Sequence, residues 1–235
     1  MALGDLVRKL TAGGRKVAAL QTGDPDFPTP GAVVEAAHRA LQAGDTHYAD
    51  SRGLPDLRRA ISRKLHLENG VEFDADSEIL VTCGGVHAYC CALLAIMEPG
   101  DEILVPDPSW PTHANLVTML YGRPVRVPSS EASGFWPAPD AWQAAISERT
   151  VGLVINSPNN PTGAVADRDY LLALRDLAAA HGLAVISDEV YEKIIFDGRQ
   201  HVSFASLLGA RDHGLLVNSL SKSFAMTGWR IGYLA

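Results

Sequence analysis

Residues 151–189 read VGLVINSPNNPTGAVADRDYLLALRDLAAAHGLAVISDE, and the order of patterns within them decides the fold class. An apolar run over 151–157 predicts a buried strand. After a loop rich in Pro, Asn and Gly, residues 168–182 carry apolar side chains at helical spacing and stop at Gly182. A second apolar run opens at Leu183 and is read as a strand through Tyr191. Strands apolar on both faces, joined through a helix, are the pattern of a mainly parallel sheet covered on each side.

The alternation continues outward from this unit. Upstream lie apolar strands at 78–82, 102–106 and 124–128, separated by helical stretches at 86–97 and 112–122, with another helix at 140–147. Downstream, 215–223 and 230–235 supply the last two strands. The opening third is helix and loop instead. An amphipathic helix over 2–16 ends at Gly13-Gly14, and a proline-rich loop leads to Thr29, placed to cap a helix with Pro30 at its first position. That helix stops at Ala43-Gly44, and another over 54–70 ends at its own glycine. The expected fold is α/β: a three-layer α/β/α sandwich around a mostly parallel seven-stranded sheet.

Composition supports a packed domain and excludes several functions. The chain has 235 residues, 47% of them hydrophobic, with 20 Lys+Arg against 27 Asp+Glu for a net charge of -7. This balance is unlike that of a disordered chain, and an acidic surface argues against a nucleic-acid binder working by bulk charge. Cys83, Cys90 and Cys91 are too few for a disulfide framework, which favours a reducing compartment. No stretch reaches the roughly 18 apolar residues of a membrane span. A cytoplasmic protein is expected. The histidines show no metal-ligand spacing, and no metal is expected.

The chemistry gathers where predicted strands end. Gly84-Gly85 follows a strand and opens a helix, which presents free amides to an anion, although GGVHAY matches neither common nucleotide-binding glycine pattern. SPNNPTG follows 151–157, SDEVY follows the strand from Leu183, and NSLSKSFAMTGWRIG follows 215–217. Lys222, among Ser219, Ser221 and Ser223 and ahead of Arg230, reads either as a solvated loop lysine or as an amine able to form a Schiff base. Arg230 and the serines suit a phosphate. Asp188 reads either as a cap or as the partner of a protonated ring nitrogen, which a pyridoxal phosphate electron sink requires. Trp110 is compatible with a core aromatic, Tyr48 with a structural loop residue, and Asn160 before Pro161 with a turn.

In order and spacing, SPNNPTG, SDEVY and SLSKSFAMTGWRIG resemble the class I/II aminotransferases, which are fold-type I pyridoxal-phosphate enzymes. GDPDFPTP, YADSRGLPDLRRAI and DPSWP fall where that family has its substrate loop, interface loop and ring-stacking aromatic. The resemblance spans about residues 5 to 235 and implies a role for each matched position. Lys222 would carry pyridoxal 5'-phosphate and shuttle a proton at the substrate's α-carbon. Asp188 would hold the pyridine nitrogen protonated. Asn160 and Tyr191 would hydrogen-bond the ring's phenolic oxygen, and Trp110 would stack on its face. Ser219, Ser221, Arg230 and the amides of Gly85 and Val86 would hold the phosphate. Tyr48 would reach the other subunit's cofactor in a homodimer. Gly23, with Trp110 and Asn160, would line the pocket for an amino acid and a 2-oxo acid.

On this reading, residues 1–45 form an N-terminal arm with the substrate loop, and 46–235 form the cofactor-binding large domain. Two departures stand out. Val86 and His87 occupy positions where the family usually has a small or hydroxyl residue and then Gln or Glu, so weaker cofactor affinity is expected. Relatives also continue into a small C-terminal domain bearing the arginine that clamps the substrate carboxylate, and no residue here matches it. A shortened enzyme is therefore expected, able to take the cofactor but poor at transamination. A C–S β-lyase of the same fold, or a non-catalytic or vestigial cofactor-binding protein, are the alternative readings.

Overall fold

The computed structural model describes residues 3–207 and 214–235. Seven strands form one sheet: β1 (Leu80–Thr82), β2 (Glu102–Asp107), β3 (Arg123–Pro128), β4 (Thr150–Asn156), β5 (Ala184–Asp188), β6 (Gly214–Ser219) and β7 (Gly232–Leu234). Their spatial order is β1-β7-β6-β5-β4-β2-β3. The pairs β3–β2, β2–β4, β4–β5 and β5–β6 are parallel, and β7 runs antiparallel to both of its neighbours. The seven mostly parallel strands match the sequence reading.

Strand periodicity builds the layers. Along β2 and β4, Leu104, Leu153 and Ile155 face one layer, while Ile103, Val105 and Val154 face the other. The first layer contains α6 (Pro139–Ala145) and α7 (Arg168–His181), and the second contains α4 (Gly85–Ile96) and α5 (Pro111–Met119). Helix α7 buries Leu171, Leu174 and Ala178 on one stripe, is capped by the Asp167 carboxylate accepting from the Tyr170 amide, and ends at a left-handed Gly182. Each fully buried leucine contributes roughly 2 kcal/mol, several times the spread in helix propensity per residue. Packing onto the sheet, more than propensity, therefore holds these helices. A third cluster joins α3 (Pro55–Lys64) to Leu216 of β6 and Tyr233 of β7.

The amino-terminal segment is laid on this body rather than built into it. Neither α1 (Leu3–Ala12) nor α2 (Gly31–Gln42) buries a residue. Thr29 is not the cap that the sequence suggested; α2 starts after Pro30 and has no side-chain cap. Its hydroxyl is instead committed across the fold, donating to the Ala225 carbonyl at 2.6 Å and accepting from the Trp229 indole at 3.0 Å. Strand expectations are also shortened, most of all at β5 and β6. β5 ends at Asp188 and residues 190–193 turn away, while β6 ends at Ser219 and passes into the short helix α8 (Leu220–Ser223).

Topology fixes where a site can form. From β2 the chain moves outward to β3, then returns past β2 to β4 and on to β5 and β6. Open α/β sheets bind ligands beyond the carboxyl ends of the strands, near such a reversal. In register, Asn156 at the end of β4 lies opposite Asp188 at the end of β5, which lies opposite Val217 of β6.

Candidate active site

A cavity of about 1320 Å³ opens above these strand ends. Its walls include Gly23, Gly85, Val86, Trp110, Asn160, Asp188, Tyr191, Ser219, Ser221, Lys222 and Arg230. The cofactor and substrate residues implied by the family resemblance thus converge there except Tyr48, which is fully exposed and lies outside the lining.

The floor is a hydrogen-bonded frame built on β4 and β5. The Asn156 amide group donates to the Asp188 carbonyl at 3.0 Å, and the Asn156 side-chain oxygen accepts from the Asn160 amide at 2.8 Å. One buried asparagine so fixes both the SPNNP loop and the end of β5. The Asn160 side chain in turn donates to the Tyr191 hydroxyl at 3.2 Å. Burial pushes the Tyr191 phenol above its usual range, the Asn160 hydrogen bond opposes this, and the nearby Asp188 charge adds to it. The net effect keeps the phenol protonated, able to donate.

Asp188 is buried and held on both carboxylate oxygens. One accepts from the Val190 amide at 3.2 Å, and the other faces His113 Nε2 at 3.0 Å. The imidazole is fully buried and packs edge-on against Trp110, with ring centroids 5.4 Å apart and planes at 89°. His113 belongs to no ligand-spacing pattern in the sequence; its one signal there is position, three residues after Trp110 on the same side of a helix turn. Asn156 carries no sequence signal beyond its place in the 151–157 strand.

The opposite wall is suited to an anion. Gly85 and Val86 begin α4, so their amides have no acceptor within the helix. Arg230 Nη1 donates to the Thr227 carbonyl at 2.8 Å, and Nη2 lies 3.4 Å from the Cys83 carbonyl. The Arg230 backbone sits in the left-handed region at φ 57°, a conformation that costs a non-glycine residue roughly 1 kcal/mol or more. A Cβ on Gly84 would come within 2.3 Å of the Arg230 guanidinium, so the cradle depends on a missing side chain. Ser219 Oγ accepts from the Ser221 amide at 3.1 Å and lies 2.8 Å from the Ser221 hydroxyl. Ser219 therefore also caps α8, a structural duty beyond its expected one. Val86 lines this wall with an apolar side chain 37% exposed. His87 does not reach over in its place, because its Nδ1 accepts from the Cys83 amide at 3.1 Å.

Lys222 projects between the two walls. Its amine donates to the Gly23 carbonyl at 2.5 Å, bringing the amino-terminal loop to the cavity.

The arrangement offers a ring-sized ligand a carboxylate at one edge, a phenol and an amide at another, an aromatic face, an anion cradle and an amine. Pyridoxal 5'-phosphate presents the complement of each: a basic ring nitrogen, a phenolic oxygen, a flat ring, a phosphate and an aldehyde. The residues present fit that group.

Comparison with known proteins gives the same direction. The family described as Aminotransferase class I and II matches residues 15–235. The chain is 44% identical over 232 residues to an aspartate aminotransferase of Pyrococcus abyssi, covering 97% of this chain and 60% of that protein. It is also 44% identical over 220 residues to an aspartate/prephenate aminotransferase of Thermus thermophilus, covering 94% and 56%. A solved structure of aspartate aminotransferase from Thermus thermophilus with maleate superimposes with a TM-score of 0.94 at 43% identity, over 99% of this chain and 60% of that one. An N-succinyldiaminopimelate aminotransferase from Mycobacterium tuberculosis superimposes with a TM-score of 0.93 at 36% identity. The chain thus spans about 60% of the length of such relatives.

Proposed function

The chain belongs to the class I and II aminotransferases, and from that premise we propose that it forms the cofactor-binding part of an enzyme moving an amino group from an amino acid to a 2-oxo acid. The observation carrying this reading is the convergence of Asp188, Tyr191, Asn160, Lys222 and the Gly84–Arg230 cradle on one cavity. They come from the ends of different strands across the sheet, and together they complement every polar part of the same cofactor.

When bound, pyridoxal 5'-phosphate supplies an electron sink that lets an amino acid's α-hydrogen leave as a proton. The protein's part is to bind, orient and move that proton. Arg230, Ser219, Ser221 and the first amides of α4 anchor the phosphate end, with paired guanidinium donors suited to it. Asp188, backed by His113, would accept from the ring nitrogen and keep its proton in place. Tyr191 and Asn160 would donate toward the phenolic oxygen, and Trp110 would offer an aromatic face to the ring. Lys222 would be the covalent anchor, and its amine would take the proton from the substrate's α-carbon and return it; in the structure that amine rests on the Gly23 carbonyl.

The dimer belongs to the same reading. Tyr48, exposed and outside its own cavity, is free to serve a partner's site. Among the described residues no helix is long and apolar enough to cross a membrane, and all three cysteines are unpaired. Free thiols suit a reducing compartment, and the cytoplasm is the proposed setting of this homodimer. The identity of the amino acid is left to assay.

A single-turnover experiment tests the proposal. The loaded chain is mixed with amino acids, without acceptor, and products are counted. One 2-oxo acid per cofactor, with no ammonia, is expected. Continuous release of pyruvate and ammonia would assign a β-lyase instead, and no product from any amino acid would leave a binding protein only.

A further inference from the structure

The turn that carries Asp188 and Tyr191 has a second face. Asp188, Val190 and Tyr191 line the cavity. Glu189 and Glu192 are buried, at 1% and 6% exposure. A carboxylate is retained in such a place only when its charge and lone pairs are answered.

Each of the two carboxylates has a partner on both oxygens. One Glu189 oxygen accepts from the Ser187 hydroxyl at 2.9 Å, the Ser203 hydroxyl at 3.1 Å and the Phe204 amide at 2.9 Å. The other faces His201 Nε2 at 2.9 Å. Glu192 pairs with Lys64, at the end of α3, and accepts from the Asn69 side chain at 2.9 Å. Ligand atoms of Glu189, Glu192 and His201 lie within 4.8 Å of one another, a grouping that in residue type suits a cation. Here Lys64 supplies the positive charge and the surrounding donors occupy the oxygens. The cluster is a closed ionic knot, not an open coordination site.

We infer that Glu189 is a positioning residue: its carboxylate ties the turn after β5 to segment 201–204, and so sets the orientation in which Asp188 and Tyr191 face the cavity. The mechanical link is short. The Val190 amide that holds Asp188 is the next peptide along, and the Glu189 amide donates to the Val217 carbonyl at 2.9 Å. Any rotation of the turn that frees Glu189 disturbs both bonds. Glu192 pins the far side of the same turn, so the two anchors leave one orientation. Directional bonds to buried charge select a single geometry more sharply than apolar packing would. The inference rests on the proposed cofactor site for its functional meaning.

The test uses Glu189→Gln and Ser203→Ala in the full chain, with circular dichroism to establish folding. In the cofactor-free protein, hydrogen exchange at the Val190 and Ile194 amides should rise about tenfold, while the Leu104 amide in β2 stays unchanged. After loading with pyridoxal 5'-phosphate, Glu189→Gln should weaken cofactor binding about tenfold and displace the pH midpoint of the bound cofactor's absorbance. Ser203→Ala should move the same readings less. Wild-type exchange and a wild-type midpoint in a folded variant would overturn the inference. Faster exchange with an unmoved midpoint would also overturn it, reducing Glu189 to a structural brace. If Glu189→Gln fails to fold, Ser203→Ala decides by the same readings. A wild-type chain with no cofactor absorbance refutes the site; the exchange comparison then still decides whether Glu189 holds the turn.

Discussion

His113 Nε2 stands 3.0 Å from a carboxylate oxygen of Asp188, and neither side chain is open to solvent. The two residues are separated by 75 positions and come from opposite sides of the β4 strand end, so only the fold brings them together. A hydrogen bond to a buried charge contributes about 1.5–3 kcal/mol. Replacing His113 with Ala is expected to weaken pyridoxal 5'-phosphate binding at least about tenfold, measured by absorbance titration, and His113→Gln should recover part of the loss. Equal affinity in all three proteins would show that Asp188 needs no backing.

Val86 puts a methyl-bearing wall where the anion cradle lacks a side-chain donor. Val86→Ser adds a hydroxyl at the first turn of α4, at a side chain 37% exposed and outside the buried core. The cofactor dissociation constant should fall severalfold, in keeping with about 1 kcal/mol for one added hydrogen bond. Unchanged affinity would contradict the placement of the phosphate at this wall.

Gly84 and Gly232 separate two kinds of close approach. At Gly84 (φ 86°) an added Cβ meets only the end of the Arg230 side chain, at 2.3 Å. Arg230 can swing away, so Gly84→Ala should cost cofactor affinity more than the roughly 1–3 kcal/mol of backbone strain costs the fold. At Gly232 the Cβ meets backbone atoms of Gly84 and Gly85 at 2.5 and 2.7 Å, and nothing there can swing. Gly232→Ala should lower the thermal midpoint by more than Gly84→Ala does. The reverse ranking in thermal melts would contradict this packing.

Much of this fold was legible in the residues because its signals are local. Gly182 after a helical stripe, apolar runs at 151–157 and 183–187, and Gly84-Gly85 before a helix each declare themselves within a few positions. What stayed hidden depends on distant partners. Thr29 reads as a helix cap, but Ala225 and Trp229 claim its hydroxyl. The apolar pattern at 183–191 does not show that the strand must stop at Asp188, because the two buried glutamates that follow find their partners in Lys64, His201 and segment 203–204. His113 and Asn156 carry no motif of their own; strand register sets Asn156 beside Asp188, and the packing of α5 brings His113 to it. The site residues were legible chiefly through their resemblance to a family.

The Lys64–Glu192 pair predicts a pH dependence of stability. Burial alone would raise the Glu192 carboxyl, but the Lys64 charge and the Asn69 hydrogen bond outweigh it and hold the folded value below the ordinary 4.5. The unfolded chain therefore binds this proton more readily, so the pair stabilises above pH 4.5 and loses its contribution as pH falls through the lower folded value. Glu192→Gln should cost about 3 kcal/mol at pH 7, because it leaves Lys64 unpaired near the interior. The gap between wild type and variant in denaturant melts should shrink as the medium is acidified below that range. A gap that is constant or wider at low pH would contradict the assignment.

Lys222 is expected to hold the cofactor, which is tested by loading the chain with pyridoxal 5'-phosphate, reducing it with borohydride and mapping the labelled peptide. One label is expected, on Lys222, and none in Lys222→Ala. A label on another lysine, or no label on the loaded wild-type chain, would contradict it.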